Sequence, residues 1–196
     1  MKGNAKHKSG SKKTTSSSEP KRRSEKTKST HAHNGRGMDA TDLLIKDHEN
    51  VQELFAQAEQ AGEDAQKKAR LFEKIRDELQ IHTRIEEEIF YPAVADLPVD
   101  RAKDDIERSL QDHEEVDDLL DDLEMLSPDD SDFDERLAEL MDSVRRHIKL
   151  EQEEVFKVAR TGLGEERLKE LGHEMEQLKQ SLKEQKMDSE GAEASE

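Results

Sequence analysis

Two pairs of residues four apart carry the first chemical signal in this chain: His82 with Glu86, and His147 with Glu151. On a helix such residues stack on one face, about 6 Å apart along the axis, so the imidazole and the carboxylate of each pair reach one centre. Two further histidines lie in matching triplets, Asp47-His48-Glu49 and Asp112-His113-Glu114. Imidazole nitrogen and carboxylate oxygen are the donors with which a chain lacking cysteine holds a metal ion, and this chain has no cysteine. The same absence excludes disulfides, Cys-bound zinc, iron–sulfur clusters and thiol catalysis.

The four signals belong to one repeat. At an offset of 65 residues Asp47-His48-Glu49 falls on Asp112-His113-Glu114, Val51 on Val116, Leu54 on Leu119, Phe72 on Leu137, Ile75 on Leu140, His82 on His147, Ile85 on Leu150 and Glu86 on Glu151. His48 to His82 and His113 to His147 both span 34 residues, and no other histidine lies between Met38 and Arg160. Taken singly, a histidine on an apolar helix face is more often a hydrogen-bonded core residue, and a His/Glu pair four apart is more often a solvated surface pair. Their coincidence at equivalent positions of two hairpins favours a shared metal site. Ile81, Ile85 and Ile89 flank the first pair and Val144, Ile148 and Val155 the second, which sets polar groups at the edge of an apolar stripe, where an unpaired one is costly.

Four imidazoles and two carboxylates exceed the four ligands of tetrahedral zinc. Mixed nitrogen and oxygen donors suit iron or manganese better than Mg²⁺ or Ca²⁺. The expectation is two ions, with Glu86 and Glu151 able to bridge them, each ion taking two histidines and keeping open positions for water or a small molecule.

Helices must position these groups. Leu43, Leu44, Val51, Leu54, Phe55 and Ala58 recur at helical spacing up to Gly62. A second stripe (Ala69, Phe72, Ile75, Leu79, Ile81 or His82, Ile85, Ile89) runs to Tyr91-Pro92, where proline limits or kinks the helix. A third runs through Ile106, Leu110, Val116, Leu119, Leu120 and Leu123 to Ser127-Pro128. The fourth, capped by Ser131 or Asp132, continues through Leu137, Leu140, Val144, Ile148, Val155 and Val158 to Gly162-Leu163-Gly164. Leu168, Leu171, Met175, Leu178 and Leu182 form a shorter fifth helix. Short connections predict an all-α, up-down-up-down four-helix bundle.

Charge divides the chain near residue 37. Residues 1–37 carry eleven Lys/Arg and two Glu (+9) and the remainder carries −26, for a total of −17. The first segment has no Val, Leu, Ile, Phe, Trp or Tyr to bury, so residues 1–37 read as a disordered basic tail, 38–182 as the bundle and 183–196 as a polar C-terminal tail. Met38 is then a candidate start. The tail reads first as solubilising; Lys21, Arg22, Arg23 and Lys26 also offer a weak nucleic-acid or acidic-surface contact. No apolar run reaches the ~20 residues that span a bilayer, and the first thirty residues lack a secretory signal's apolar segment. The expectation is a cytoplasmic protein with no membrane contact; oligomeric state is open.

The order of a lone histidine, HxxxE, a second lone histidine and HxxxE resembles the hemerythrin-like HHE cation-binding family. The segments that carry the likeness are Asp47-His48-Glu49, His82-Thr-Arg-Ile-Glu86-Glu-Glu-Ile-Phe-Tyr-Pro92, Asp112-His113-Glu114 and His147-Ile-Lys-Leu-Glu151, within residues 38–180. The resemblance implies a di-iron centre bridged by carboxylate and by oxo or hydroxo, with His48, His82, Glu86, His113, His147 and Glu151 as ligands. One departure stands out. Oxygen-carrying members have a further histidine four residues after the third-helix one, where this chain has Asp117, which argues against reversible oxygen carriage and is itself expected to face solvent. Glu49 and Glu114 are expected in salt bridges or behind the ligands, Tyr91 in packing, and His173 outside the site.

Three functions compete. The first is a non-haem di-iron protein that binds or senses oxygen, nitric oxide or peroxide at an open iron position. The second is a peroxide-decomposing, catalase-like di-iron enzyme, the branch that four-histidine members resemble. The third is a nucleic-acid-associated module working through the basic tail. Ferritin-like di-iron carboxylate proteins are excluded by their missing Glu-x-x-His signature, since Leu79 and Val144 stand three before His82 and His147.

Overall fold

The computed structural model describes residues 37–193; residues 1–36 and 194–196, and with them nearly all of the expected basic tail, lie outside the described residues. Helix α1 spans Ala40–Glu59 and α2 spans Ala65–Ile85. Asp39 caps α1 by accepting from the Asp42 N–H at 2.9 Å, and Asp64 caps α2 by accepting from the Lys67 N–H at 2.9 Å. Each cap satisfies one of the amides that a helix start leaves without a partner. Between these helices Gly62 turns the chain at φ 59°, a left-handed conformation that glycine adopts without a side-chain clash.

The second helix does not end at Tyr91-Pro92. It widens into a π turn, π1, over Glu86–Phe90 and resumes as α3 over Tyr91–Ala95. Pro92 falls just after the π turn, in the first turn of α3, and does not stop the helix. Proline is not the cause of the widening, because the second hairpin repeats it without one. There α4 (Asp100–Glu124) is followed by α5 (Ser131–Leu150), π2 (Glu151–Val155) and α6 (Phe156–Gly162). Both π turns begin on the glutamate of a His/Glu pair. At the start of α5, Asp130 takes the N-cap place expected of Ser131 or Asp132, and no side chain caps that helix.

The fifth helix, α7, expected to be short, is the longest among the described residues, Gly164–Glu193. It begins at Gly164, φ 76°, and packs on α1 and α2. Its apolar residues Leu168, Leu171 and Met175 are buried. Beyond Leu182, where a polar tail was expected, Lys183 Nζ donates to Glu78 Oε1 at 2.8 Å and Lys186 pairs with Asp77, which extends the helix along α2. Gly172 lies against the start of α1 so closely that a Cβ there would stand 2.3 Å from the Met38 carbonyl oxygen.

The result is an all-α, up-down-up-down bundle with a fifth helix. Its interior has two apolar clusters. One gathers Phe55, Phe72, Ile75, Leu123, Phe133 and Leu140; the other gathers Leu43, Leu44, Phe90, Phe156, Leu171 and Met175. Burying each large side chain contributes about 1.5–3 kcal/mol. Leu110, counted in the third stripe, is exposed instead. Histidines and glutamates form a polar layer between the clusters, so the greasy halves of the bundle hold that layer away from water.

Candidate metal centre

All six residues singled out by the repeat are buried in this layer, and Glu86 and Glu151 are both 0% exposed. His48, His82, Glu86, His147 and Glu151 each direct a donor atom into a cluster whose atoms lie within 4.8 Å of one another. His48 Nε2 is 3.0 Å from His82 Nε2 and 3.3 Å from Glu151 Oε2. His113 stands at the edge of the cluster, its Nε2 3.3 Å from Glu86 Oε2 and its ring centroid 4.7 Å from that of His147. Glu86 therefore serves both sides, since its other oxygen, Oε1, is 3.3 Å from His82 Nε2.

Local structure explains the convergence. A regular helix places residues 82 and 86 on one face but rotates residue 91 away from them. The π turn, with its i→i+5 bonds, brings Tyr91 back under Glu86. The Tyr91 N–H bonds the Glu86 carbonyl, and Tyr91 Oη lies 3.3 Å from Glu86 Oε2 and 3.5 Å from His113 Nε2. Phe156, the equivalent of Tyr91, stacks on His48 with centroids 6.0 Å apart. Tyr91 is thus part of the site, not only packing.

Each imidazole has a group behind its Nδ1. Asp47 Oδ2 is 3.8 Å from His82 and Asp112 Oδ2 is 3.7 Å from His147, both within a hairpin. Glu87 Oε1 is 2.8 Å from His113, and the Gln152 amide nitrogen is 3.2 Å from His48, both across hairpins. Glu87, at hydrogen-bond distance, orients His113 and favours its proton on Nδ1 with Nε2 left free; Asp47 and Asp112 stand too far for a hydrogen bond and act through their charge, and Gln152 does the same for His48 only with its amide oxygen turned toward Nδ1. Glu49 and Glu114, expected in that role, are exposed and form no ion pair among the described residues. The sequence held the missed signal: Asp47/Asp112 and Glu87/Gln152 obey the same 65-residue offset as the six buried residues. Asp117 is exposed, its carboxyl pushed up by partial burial and by Glu87, Asp121 and Asp118. His173, also exposed, pairs with Gln177 on α7, outside the site.

The electrostatics suit a cation. Burial holds His82 down to about 4 and also lowers His113, which His147 lowers further, so both present lone pairs at neutral pH. Burial, then the charge of Glu151, pushes the Glu86 carboxyl well above the usual range. For Glu151 burial acts upward but is outweighed by the close imidazole of His48 and by His147, which hold it down. Tyr91 is raised by burial and by both glutamates. Asp47 sits low because His82 and Lys179 outweigh its burial.

Glu86 Oε1, both Glu151 carboxylate oxygens and His147 Nε2 are buried without a hydrogen-bond partner. Orphans of this kind cost about 1–3 kcal/mol each, and their common direction is what a cation relieves. The donor set fits a metal ion. Beside it, walled by the four histidines with Val51 and Leu79, is a cavity of about 20 Å³ for the centre of a water-sized molecule, enough for about one such guest.

Comparison with known proteins places the fold and the family. A family model described as the hemerythrin HHE cation binding domain matches residues 39–159. A crystal structure of a hemerythrin HHE cation binding domain-containing protein from Mycobacterium kansasii has the same fold, with TM-score 0.64 at 23% identity, covering 74% of this chain and 89% of that one. A DNA nickase from Nostoc sp. (strain PCC 7120) is 28% identical over 145 residues, 74% of this chain and 40% of the relative. The chain thus matches well under half the length of that relative.

Proposed function

The chain belongs to the hemerythrin HHE cation-binding family, and on that premise we propose that it is a non-haem di-iron protein that binds or senses oxygen, nitric oxide or peroxide. The observation that carries this reading is the set of unpartnered buried donors on Glu86, Glu151 and His147 facing one centre. His48, His82, Glu86, His113, His147 and Glu151 would hold the ions, with the two glutamates placed to bridge. Iron with an open position supplies reversible binding of a diatomic ligand or peroxide and change between ferrous and ferric states.

The protein's own part is exclusion and orientation. Its apolar clusters keep bulk water from the layer, and Glu87 aims His113, with Asp47, Asp112 and Gln152 behind the other imidazoles. Tyr91 Oη can donate a hydrogen bond at Glu86 Oε2. The cavity beside the histidines admits a guest of few atoms. Metal analysis of the purified protein with an absorption spectrum tests the reading: about two irons per chain and near-ultraviolet charge-transfer bands that respond to nitric oxide, oxygen or peroxide are expected. One zinc per chain with no such bands would sink it.

Tyr91 favours peroxide decomposition as the second reading, because it places a protonated hydroxyl among the donors. Oxygen evolution from peroxide that is lost in His82→Ala supports turnover; spectral change without evolution supports a sensor. The name of the Nostoc relative is compatible with a nucleic-acid contact, for which the eleven Lys/Arg of residues 1–37 supply charge. DNA binding that weakens with salt, vanishes on deleting residues 1–37 and ignores metal removal is its signature.

A further inference from the structure

The two halves of the centre match in their inner donors but not in the charges behind them. Behind His113 and His147 stand two carboxylates, Glu87 and Asp112. Neither pairs with Lys or Arg among the described residues. Asp117 shares a surface groove with Glu87 and adds a third negative charge, where the first hairpin has neutral Gln52. Arg84 lines the same groove but is engaged by Glu88.

Behind His48 and His82 the balance differs. Gln152 replaces the carboxylate with an amide, and Asp47 is paired with Lys179 of α7. That ion pair is well shielded, with side-chain exposures of 13% for Lys179 and 9% for Asp47. Lys179 lies beyond the segment that the family model matches. It acts on the centre only through Asp47 and His82.

A carboxylate behind an imidazole makes it a stronger donor, and removing such a group changes metal affinity roughly 10–100-fold. We infer that the halves are unequal: the His113/His147 half captures a divalent cation first and more tightly, and Lys179 maintains the difference by neutralising Asp47. This rests on the two-ion reading above. Glu87 and Asp112 are partly exposed, at 39% and 31%, so solvent weakens their effect and the expected gap is nearer tenfold than a hundredfold.

Anaerobic titration of the metal-stripped full chain with cobalt(II), followed by calorimetry and visible absorption, tests it. Two steps separated by about tenfold are expected. His113→Ala should remove the tighter step and His82→Ala the weaker. Lys179→Gln and Gln152→Glu, both away from the ions, should each strengthen the weaker step several-fold and leave the tighter one in place, while Lys179→Arg should keep the wild-type pattern. Two ions with equal constants, or a weaker step indifferent to both Lys179→Gln and Gln152→Glu, would overturn the inequality alone. One cobalt per chain would overturn the two-ion reading itself.

Discussion

Tyr91 Oη lies 3.3 Å from Glu86 Oε2, a contact between residues five apart that follows from the wide turn joining α2 to α3. The π turn and the His/Glu layer are therefore one feature. It lets Glu86, Phe90 and Tyr91 all face inward, as its counterpart does for Glu151, Val155 and Phe156.

Replacing Tyr91 with phenylalanine keeps the ring and removes the hydroxyl. Glu86 then loses one buried partner, which costs about 1 kcal/mol and, for a domain of this size, roughly 2–4 °C in melting temperature. Differential scanning calorimetry of metal-free protein reads this directly. An unchanged melting temperature would mean that the hydroxyl contributes nothing to holding Glu86.

Glu86 and Glu151 share a dry interior, and burial opposes charge on both. Glu86→Gln makes one of them permanently neutral at nearly constant volume. Metal-free protein should gain about 1 kcal/mol, or roughly 2–4 °C. With metal the sign reverses: at a thousandfold excess over its dissociation constant, an ion adds about 4 kcal/mol to wild-type stability, and the variant should lose most of that gain. Melting curves with and without iron(II) under anaerobic conditions check both. Equal metal-induced shifts in the two proteins would remove Glu86 from the ligand set.

The repeat was legible because the buried histidines and glutamates and the core obey one offset, and an offset survives without knowledge of shape. It brought out all six inner residues and the bundle. What stayed hidden depends on a helix departing from its regular period. Tyr91 is out of phase with Glu86 on a 3.6-residue wheel, so an α-helical reading turns it away from the centre. The same regular reading lets Pro92 limit or kink its helix, where the chain instead widens into the π turn just before the proline and continues as α3. Glu49 and Glu114, expected behind the imidazoles, lie two residues and about 200° round the helix from Asp47 and Asp112. The length of α7 was missed because its second half is held by lysines that pair with α1 and α2, not by apolar burial.

Gly172 marks where α7 meets the start of α1. A methyl group there would stand 2.3 Å from the Met38 carbonyl oxygen and 2.8 Å from the Ala40 nitrogen. Both are backbone atoms that cannot rotate aside. Gly172→Ala should cost about 1–3 kcal/mol, seen as a lower urea midpoint with an unchanged slope. Gly37→Ala, where nothing lies within 4 Å, is the control and should leave the midpoint in place. If both variants melt alike, the close approach of α7 is wrong.

Truncation after Leu182 separates the two halves of α7. The removed turns hold on through Lys183 with Glu78 and Lys186 with Asp77, pairs whose side chains are 23–42% exposed. Ion pairs of this kind contribute about 0–1 kcal/mol each because solvent screens them and long side chains lose freedom. The buried anchors Leu168, Leu171 and Met175 and the Lys179–Asp47 pair all remain. The shortened chain should therefore lose no more than about 2 kcal/mol and bind the same amount of metal, as judged by chemical denaturation and metal analysis. Tighter binding of the second ion on this truncation would show that the end of α7 holds Lys179 against Asp47, and that the helix acts on the centre as one unit.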